Sequence, residues 1–306
     1  MEFAIEARHL RKAYGEIEAV RDVSLTIAPG EVFCLLGPNG AGKTTTVEML
    51  EGHRDPSAGT VRVLGEDPAQ RRRALRDRVG VVLQDTALGA DLTVGEMLEM
   101  SARWYSRPRG VDELIDLVEL DAKRDARTDA LSGGQRRRLD LALGLVGSPD
   151  VLFLDEPTTG FDPHARRAAW STIRRLCADS GMTVVLTTHY MDEAQSLADR
   201  VAVMVAGRIV DVGPPEAIGG RDRAPAEIRF GLPEPWTPSD LPALAGAAVS
   251  TEADGRVLVT TDDGVGAAHL ITGWALERDV QLAHFTVAQP SLEDVYLALT
   301  ESPNVL

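Results

Sequence analysis

At 306 residues the chain has room for two domains, and with 44% hydrophobic and 26% charged residues it can bury a substantial core. Its formal net charge of −15 disfavours nucleic acid or an anionic lipid surface as a broad partner. Two cysteines, Cys34 and Cys177, make no disulfide framework, residues 1–4 lack signal-peptide character, and no run approaches the roughly 20 apolar residues of a membrane span.

In chain order, Val20, Val23, Leu25 and Ile27 predict an extended segment that ends at Pro29-Gly30. Residues 32–36, Val-Phe-Cys-Leu-Leu, are unbroken and apolar, and similar runs occur at 151–154, 183–186 (Thr-Val-Val-Leu) and 201–205. Short runs of this kind predict strands buried on both faces, as in a parallel sheet covered by helices. From about 92 to 146 the pattern turns helical. Val111, Leu114, Ile115 and Val118 recur at i, i+3, i+4 and i+7, while Met97, Met100 and Trp104 line another face. The fold class is therefore α/β, with a helical subdomain at about 86–146 inserted into a first domain at 1–218. Pro214-Pro215 and residues 219–225 read as a linker. Residues 226–306 form a small α+β domain, with a strand at 256–260 and a helix at 265–278.

Three of the apolar runs are followed at once by polar residues able to do chemistry: Gly37, the pair Asp155-Glu156, and His189. Ligands of open α/β sheets sit at the carboxyl ends of the strands, so these groups are expected at one edge. Gly37, Pro38, Asn39, Gly40, Ala41, Gly42, Lys43, Thr44 and Thr45 fit G-x-x-x-x-G-K-[ST], the phosphate-binding P-loop. Its glycines let backbone N–H groups turn inward as an anion nest, and the next helix offers its positive end. Lys43 would reach the β- and γ-phosphates and Thr44 would place a hydroxyl on Mg²⁺. The chain has only three lysines, Lys12, Lys43 and Lys123, so a lysine at this position stands out against an arginine-rich background. Asp155 would hold the magnesium, and Glu156 would polarise the attacking water. Ser132, Gly133, Gly134 and Gln135 precede a helix. They read either as a second anion nest or as an ordinary N-cap with Ser132 capping.

Taken in order, a P-loop, an LSGGQ segment and Val-Leu-Phe-Leu-Asp-Glu-Pro resemble the nucleotide-binding domains of ABC ATPases, over residues 3 to about 215. The resemblance implies ATP and Mg²⁺ as ligands. It assigns Tyr14 to stacking on adenine. It gives Gln84 to nucleotide sensing and to the metal, beside Thr44 and Asp155. Asp162, in the D-loop at 158–162, is assigned to the dimer interface, and His189 to a switch at the γ-phosphate. It further implies that the LSGGQ nest of one copy covers the ATP of another, so that a homodimer sandwiches two nucleotides. The implied setting is cytoplasmic, on the inner face of a bacterial membrane, beside a separately encoded integral-membrane permease. Residues 157–170 and the tail at 290–300 are similar to ABC-2 exporter ATPases of the daunorubicin-resistance type. That similarity implies efflux of a drug, antibiotic or other hydrophobic compound, with a lipid or glycan as the alternative. A soluble ABC ATPase acting on nucleic acid or the ribosome is opposed by the single cassette, the absence of a heptad run and the negative charge.

Overall fold

The computed structural model describes residues 2–82 and 91–301. The chain divides into two compact units, Met1–Pro215 and Glu216–Glu301.

The first unit opens with strands β1 (Ile5–Tyr14), β2 (Ile17–Ile27) and β3 (Val32–Leu36), then helix α1 (Lys43–Glu51). Strand β4 (Ala58–Val63), the short helix α2 (Arg73–Arg76) and strand β5 (Val79–Val82) follow. Helices α3 (Val94–Ala102), α4 (Val111–Leu117) and α5 (Gly133–Leu145) come next. The unit continues through β6 (Val151–Asp155), α6 (Pro163–Ser180), β7 (Thr183–Thr188) and α7 (Met191–Leu197). It ends in β8 (Arg200–Val205) and β9 (Arg208–Gly213).

Every residue of β3, β6 and β7 is buried. These strands form the middle of a sheet ordered β5-β6-β7-β3-β8-β9, parallel except for its edge strand β9. A strand covered on both faces has no polar side to alternate with, which is why these segments read as unbroken apolar runs. The register matters for function. Leu36 pairs with Thr188 and Asp155 with Thr187, so β3, β6 and β7 end level with one another. Gly37, Glu156 and His189 therefore leave the sheet side by side.

A second sheet, β2-β1-β4, is antiparallel. Its inward residues, among them Ile5, Leu10, Val20 and Ile27, share one core with Phe33, Leu35, Val47, Leu50 and Phe153. This core clamps α1 and hence the loop before it. Among the helices α3–α5, Leu98, Leu114, Ile115, Val118 and Leu139 are buried. A reciprocal capping box between Thr93 and Glu96 starts α3. The face expected to carry Met97, Met100 and Trp104 together is split: Met97 is buried, whereas Met100 and Trp104 are exposed. Helix α3 ends at Ala102, so Trp104 no longer keeps helical register with the other two.

The second unit holds strands β10 (Ala226–Gly231), β11 (Ala248–Thr251) and β12 (Val257–Thr261), then α8 (Gly264–Glu277), β13 (Ala283–Ala288) and α9 (Leu292–Glu301). Its sheet is antiparallel, ordered β11-β12-β10-β13, with Ile228, Phe230, Val257 and Val259 packed against Ala267 and Ile271 of α8. Of the expected linker, residues 219–225 belong to this unit instead, while Pro214-Pro215 end the first. Ile218 is fully buried, residues 218–223 form 3₁₀ turns, and Arg221 Nε donates to the Pro290 carbonyl at 2.8 Å. Gly219 takes a left-handed φ of 63°, and a Cβ there would run into Val295. The glycines that suggested looseness thus serve a tight turn.

Candidate active site

The loop between β3 and α1 is shaped by its glycines. Gly37 lies against the Met204 carbonyl, leaving no room for a Cβ. Gly40 and Gly42 hold φ of 80° and 99°, open only to glycine at low cost. The Ala41 N–H donates to the Pro38 carbonyl at 3.2 Å, closing the turn. Helix α1 starts at Lys43 with no capping side chain at Gly42, so the first-turn amides are left to an incoming anion. Lys43 is buried and folds back on the loop, Nζ donating to the carbonyls of Gly37 at 2.7 Å and Pro38 at 3.0 Å. Burial lowers its pKa, and the nearby Glu156 and Asp155 carboxylates oppose that fall. Asn39, Gly40, Gly42, Lys43, Thr44, Thr45, Ala19 and Glu156 line an open cavity of about 390 Å³.

Next to Thr44 of this lining, both Asp155 carboxylate oxygens lie 3.3–3.4 Å from Thr44 Oγ1. Asp155 also accepts from Thr187 Oγ1, which in turn accepts from the Glu156 N–H at 3.1 Å. Thr187 was not singled out in the sequence, yet it ties the Asp155 carboxylate to the Glu156 backbone. The one signal for it was a hydroxyl residue level with Asp155 at the end of an apolar run. Glu156 turns the chain with a φ of 48°, a conformation that costs a non-glycine residue roughly 1–2 kcal/mol. Its Oε1 stands 3.1 Å from His189 Nδ1, and its Oε2 accepts from Thr159 Oγ1 at 3.1 Å.

Among the described residues no three His, Cys, Asp or Glu side chains converge on a metal. A hydroxyl and a carboxylate facing each other, Thr44 and Asp155, nevertheless suit Mg²⁺. That ion takes one or two protein oxygens and completes its shell with water and substrate phosphates.

The remaining candidates lie off this cavity. Ser132 and Gln135 form a reciprocal capping box on α5. Gln135 N donates to Ser132 Oγ at 3.3 Å, and Ser132 N donates to Gln135 Oε1 at 3.0 Å. Gly133 and Gly134 have open space where a Cβ would stand. Asp162 caps α6, accepting from His164 N at 2.9 Å and Ala165 N at 3.0 Å, and these bonds hold its carboxyl below the usual range. Tyr14, at the end of β1, is exposed, with Arg54 5.3 Å and Lys12 5.5 Å from its ring centre. Gln84 falls outside the described residues.

A glycine cradle at the end of a parallel strand, with a lysine, a hydroxyl and two acids around it, defines a P-loop ATPase, here of the ABC cassette type. A family model described as "ABC transporter" matches residues 20–159. Another, "ABC transporter domain-containing protein-like, C-terminal domain", matches residues 226–291. The Nod factor export ATP-binding protein I of Paraburkholderia xenovorans (strain LB400) is 41% identical over 304 residues, 98% of this chain and 97% of that protein. The protein of the same name from Rhizobium sp. (strain N33) is 39% identical over 304 residues, 97% of each chain. Among solved structures, cbiO1 from Clostridium perfringens, part of the ABC transporter complex cbiONQ, gives a TM-score of 0.64 at 28% identity. The match covers 71% of this chain and 91% of that one. The dimeric, post-hydrolysis ATP-binding cassette MJ0796, bound to ADP and Pi, gives 0.64 at 25% identity, covering 69% and 98%. This chain belongs to the ATP-binding subunits of ABC transporters. It is an ATPase that binds ATP with Mg²⁺ and couples hydrolysis to transport.

Proposed function

We propose that two copies of this chain clamp two ATP molecules head to tail and drive a separately encoded membrane permease that exports its cargo. The observation that carries the proposal is the separation of the two nests. The P-loop, Asp155, Glu156 and His189 line or adjoin one cavity, whereas Ser132–Gln135 lie off it with an open glycine surface. A single chain therefore leaves ATP half enclosed, and a two-fold related copy would complete it. The solved relative MJ0796 is described as a dimer, which supports the reading. In this scheme Lys43, Thr44 and the loop amides hold the phosphates, Thr44, Asp155 and Gln84 hold the magnesium, and Tyr14 stacks on the base. Glu156 activates water, His189 contacts the γ-phosphate, and Asp162 crosses to the partner copy. The first 218 residues act as the nucleotide-binding domain and residues 226–306 as an accessory domain.

No helix among the described residues is long and apolar enough to cross a membrane, so the transport path is assigned to the permease. The chain would work on the cytoplasmic side, held there by that permease. A cytoplasmic helix of the permease would dock near Gln84 and 91–105, where Leu92, Met97, Leu98, Trp104 and Tyr105 supply apolar side chains. Met97 and Leu98 are buried and withdrawn from that role, while Trp104 is exposed. Tyr105 lines a cleft of about 540 Å³ with Leu75, Val79, Val81, Arg71 and Arg76, and this cleft is the better seat for a permease helix.

Export rather than import follows the exporter-like segments at 157–170 and 290–300 and the names of the relatives. The first reading of the cargo is a drug, antibiotic or other hydrophobic compound. The second is Nod factor, favoured by what those relatives are named for. Purifying the tagged chain from its own membranes tests the assignment. A copurifying membrane protein whose loss stops export supports it, and ATP hydrolysis with no membrane partner opposes it.

A further inference from the structure

We propose that Glu193 is a positioning residue that sets His189 against Glu156 by tying α7 to the loop that follows β6. The inference rests on the roles given above to Glu156 and His189.

Glu193 is fully buried on α7, about one helical turn beyond His189. Its Oε1 accepts from Thr158 Oγ1 at 2.7 Å and from Trp170 Nε1 at 3.0 Å. Thr158 is fully buried as well and lies two residues after Glu156. The next residue, Thr159, donates to Glu156 Oε2. The contacts close a ring: Glu156 to the 158–159 segment, that segment to Glu193, Glu193 along α7 to His189, and His189 back to Glu156 at 3.1 Å.

Seven-residue α7 has no side-chain cap at Tyr190, and so short a helix takes its place from tertiary ties. A second tie flanks the first. Arg166 of α6 pairs with Asp192 at 3.1 Å and lies 4.4 Å from the Tyr190 ring centre. An apolar side chain could fill the Glu193 site without desolvating a carboxyl group. Burial pushes the Glu193 carboxyl up, and the Thr188, Thr158 and Trp170 side chains act against that shift. What a carboxyl adds over an apolar filler is two directed bonds, one to each element it joins. Displacement of a reacting group by about 1 Å can cost on the order of 100-fold in rate, so fixing this distance is a kinetic function.

Both donors use the same oxygen, so a carboxamide can keep them. Steady-state ATP hydrolysis, ATP binding and thermal melting would be measured for the full chain carrying Glu193→Ala, Glu193→Gln, Thr158→Val, the Glu193→Ala/Thr158→Val pair, and Glu156→Gln as reference. Expected are kcat losses of about 10- to 100-fold in Glu193→Ala and Thr158→Val, with ATP affinity within about 2-fold of wild type. Glu193→Gln should keep at least about a third of wild-type kcat, and the pair should be no slower than Glu193→Ala alone. If Glu193→Ala does not fold, Thr158→Val and Glu193→Gln carry the test. Wild-type kcat in Thr158→Val beside an inactive Glu156→Gln overturns this proposal and leaves the parent reading intact. So does a Glu193→Gln enzyme as slow as Thr158→Val, or a loss that tracks ATP affinity or melting temperature. Normal turnover in Glu156→Gln removes the parent reading and this one with it.

Discussion

His189 Nδ1 stands 3.1 Å from Glu156 Oε1, within hydrogen-bonding reach of it. Glu156 is held on its other oxygen by Thr159. A carboxylate held from two sides is oriented for its proposed role, activating a water beside the cavity it lines. Glu156→Gln keeps the shape and most of these contacts but removes the basic oxygen. We expect phosphate release to slow by about 10²–10⁴-fold while ATP binding persists, and the ATP-bound dimer to accumulate in light scattering. A chain that stays monomeric with ATP when hydrolysis is blocked would break the clamp model.

Lys43 donates to two loop carbonyls, a contact that γ-phosphate would compete for. Lys43→Ala should weaken ATP binding by at least about 10-fold, the loss of one charge-assisted contact. It should also remove most hydrolysis. Calorimetric titration with ATP and magnesium measures the first, and unchanged affinity would contradict the cradle geometry.

The two left-handed loop glycines should differ in their tolerance of a methyl group. At Gly40 nothing stands near a Cβ, so Ala meets only the backbone penalty of roughly 1–2 kcal/mol. At Gly42 the φ is 99° and a Cβ would also strike the Ala19 carbonyl. Gly42→Ala should therefore cost more than about 2 kcal/mol in denaturant unfolding and lose ATP binding, with Gly40→Ala the milder of the two.

Much of this site was legible because its signals are local. Strands buried on both faces appear as apolar runs, and the P-loop, Asp155-Glu156 and His189 follow those runs directly. Relationships between distant segments left no local pattern. The strand order β5-β6-β7-β3-β8 depends on where each crossover lands. Thr187 orients Asp155 from a neighbouring strand, and Glu193 reaches Thr158 from another helix. The LSGGQ segment carried two readings, an N-cap and an anion nest, and the N-cap is present. Ser132 and Gln135 do cap α5, while Gly133 and Gly134 leave an open surface beside them. Periodicity also overreached at Trp104, where the helix had already ended.

Glu51, at the end of α1, offers a pH signature. Burial, then Asp155 and Glu48, push its carboxyl up to about 8, and its Oε2 lies 2.9 Å from His53 Nδ1. The unfolded carboxyl titrates near 4.5, so between those values the folded chain binds the extra proton. This group's stability contribution is therefore complete below about 4.5 and is lost as pH rises towards 8. Glu51→Gln, which cannot ionise, should melt higher than wild type at pH 8, by on the order of 1–3 kcal/mol or a few degrees. At pH 5 the difference should nearly vanish. An equal gain at both values would show that packing, rather than proton binding, sets the effect.

The sharpest test of the shared site uses two different inactive chains. Gly134 has open space beside it, so Gly134→Asp should fold with a melting temperature within about 2 °C of wild type. It should nevertheless lose hydrolysis, because that space is where the other copy's ATP would sit. Lys43→Ala is inactive for a different reason, its own cradle. In a mixed pair, one composite site combines both defects. The other joins the intact P-loop of the Gly134→Asp chain to the intact nest of the Lys43→Ala chain. Random pairing makes about half the dimers mixed, each with one sound site of two, so an equimolar mixture should recover about a quarter of wild-type hydrolysis if the sites act independently. Phosphate release from the mixture, read against each variant alone, measures this. Activity that stays at the level of the separate variants would mean either that both nests serve the same chain's nucleotide or that one sound site cannot turn over beside a broken one. Repeating the mixture with Lys43→Ala and wild type separates these, since loss beyond dilution there identifies coupling between sites, and simple dilution leaves the nests within one chain.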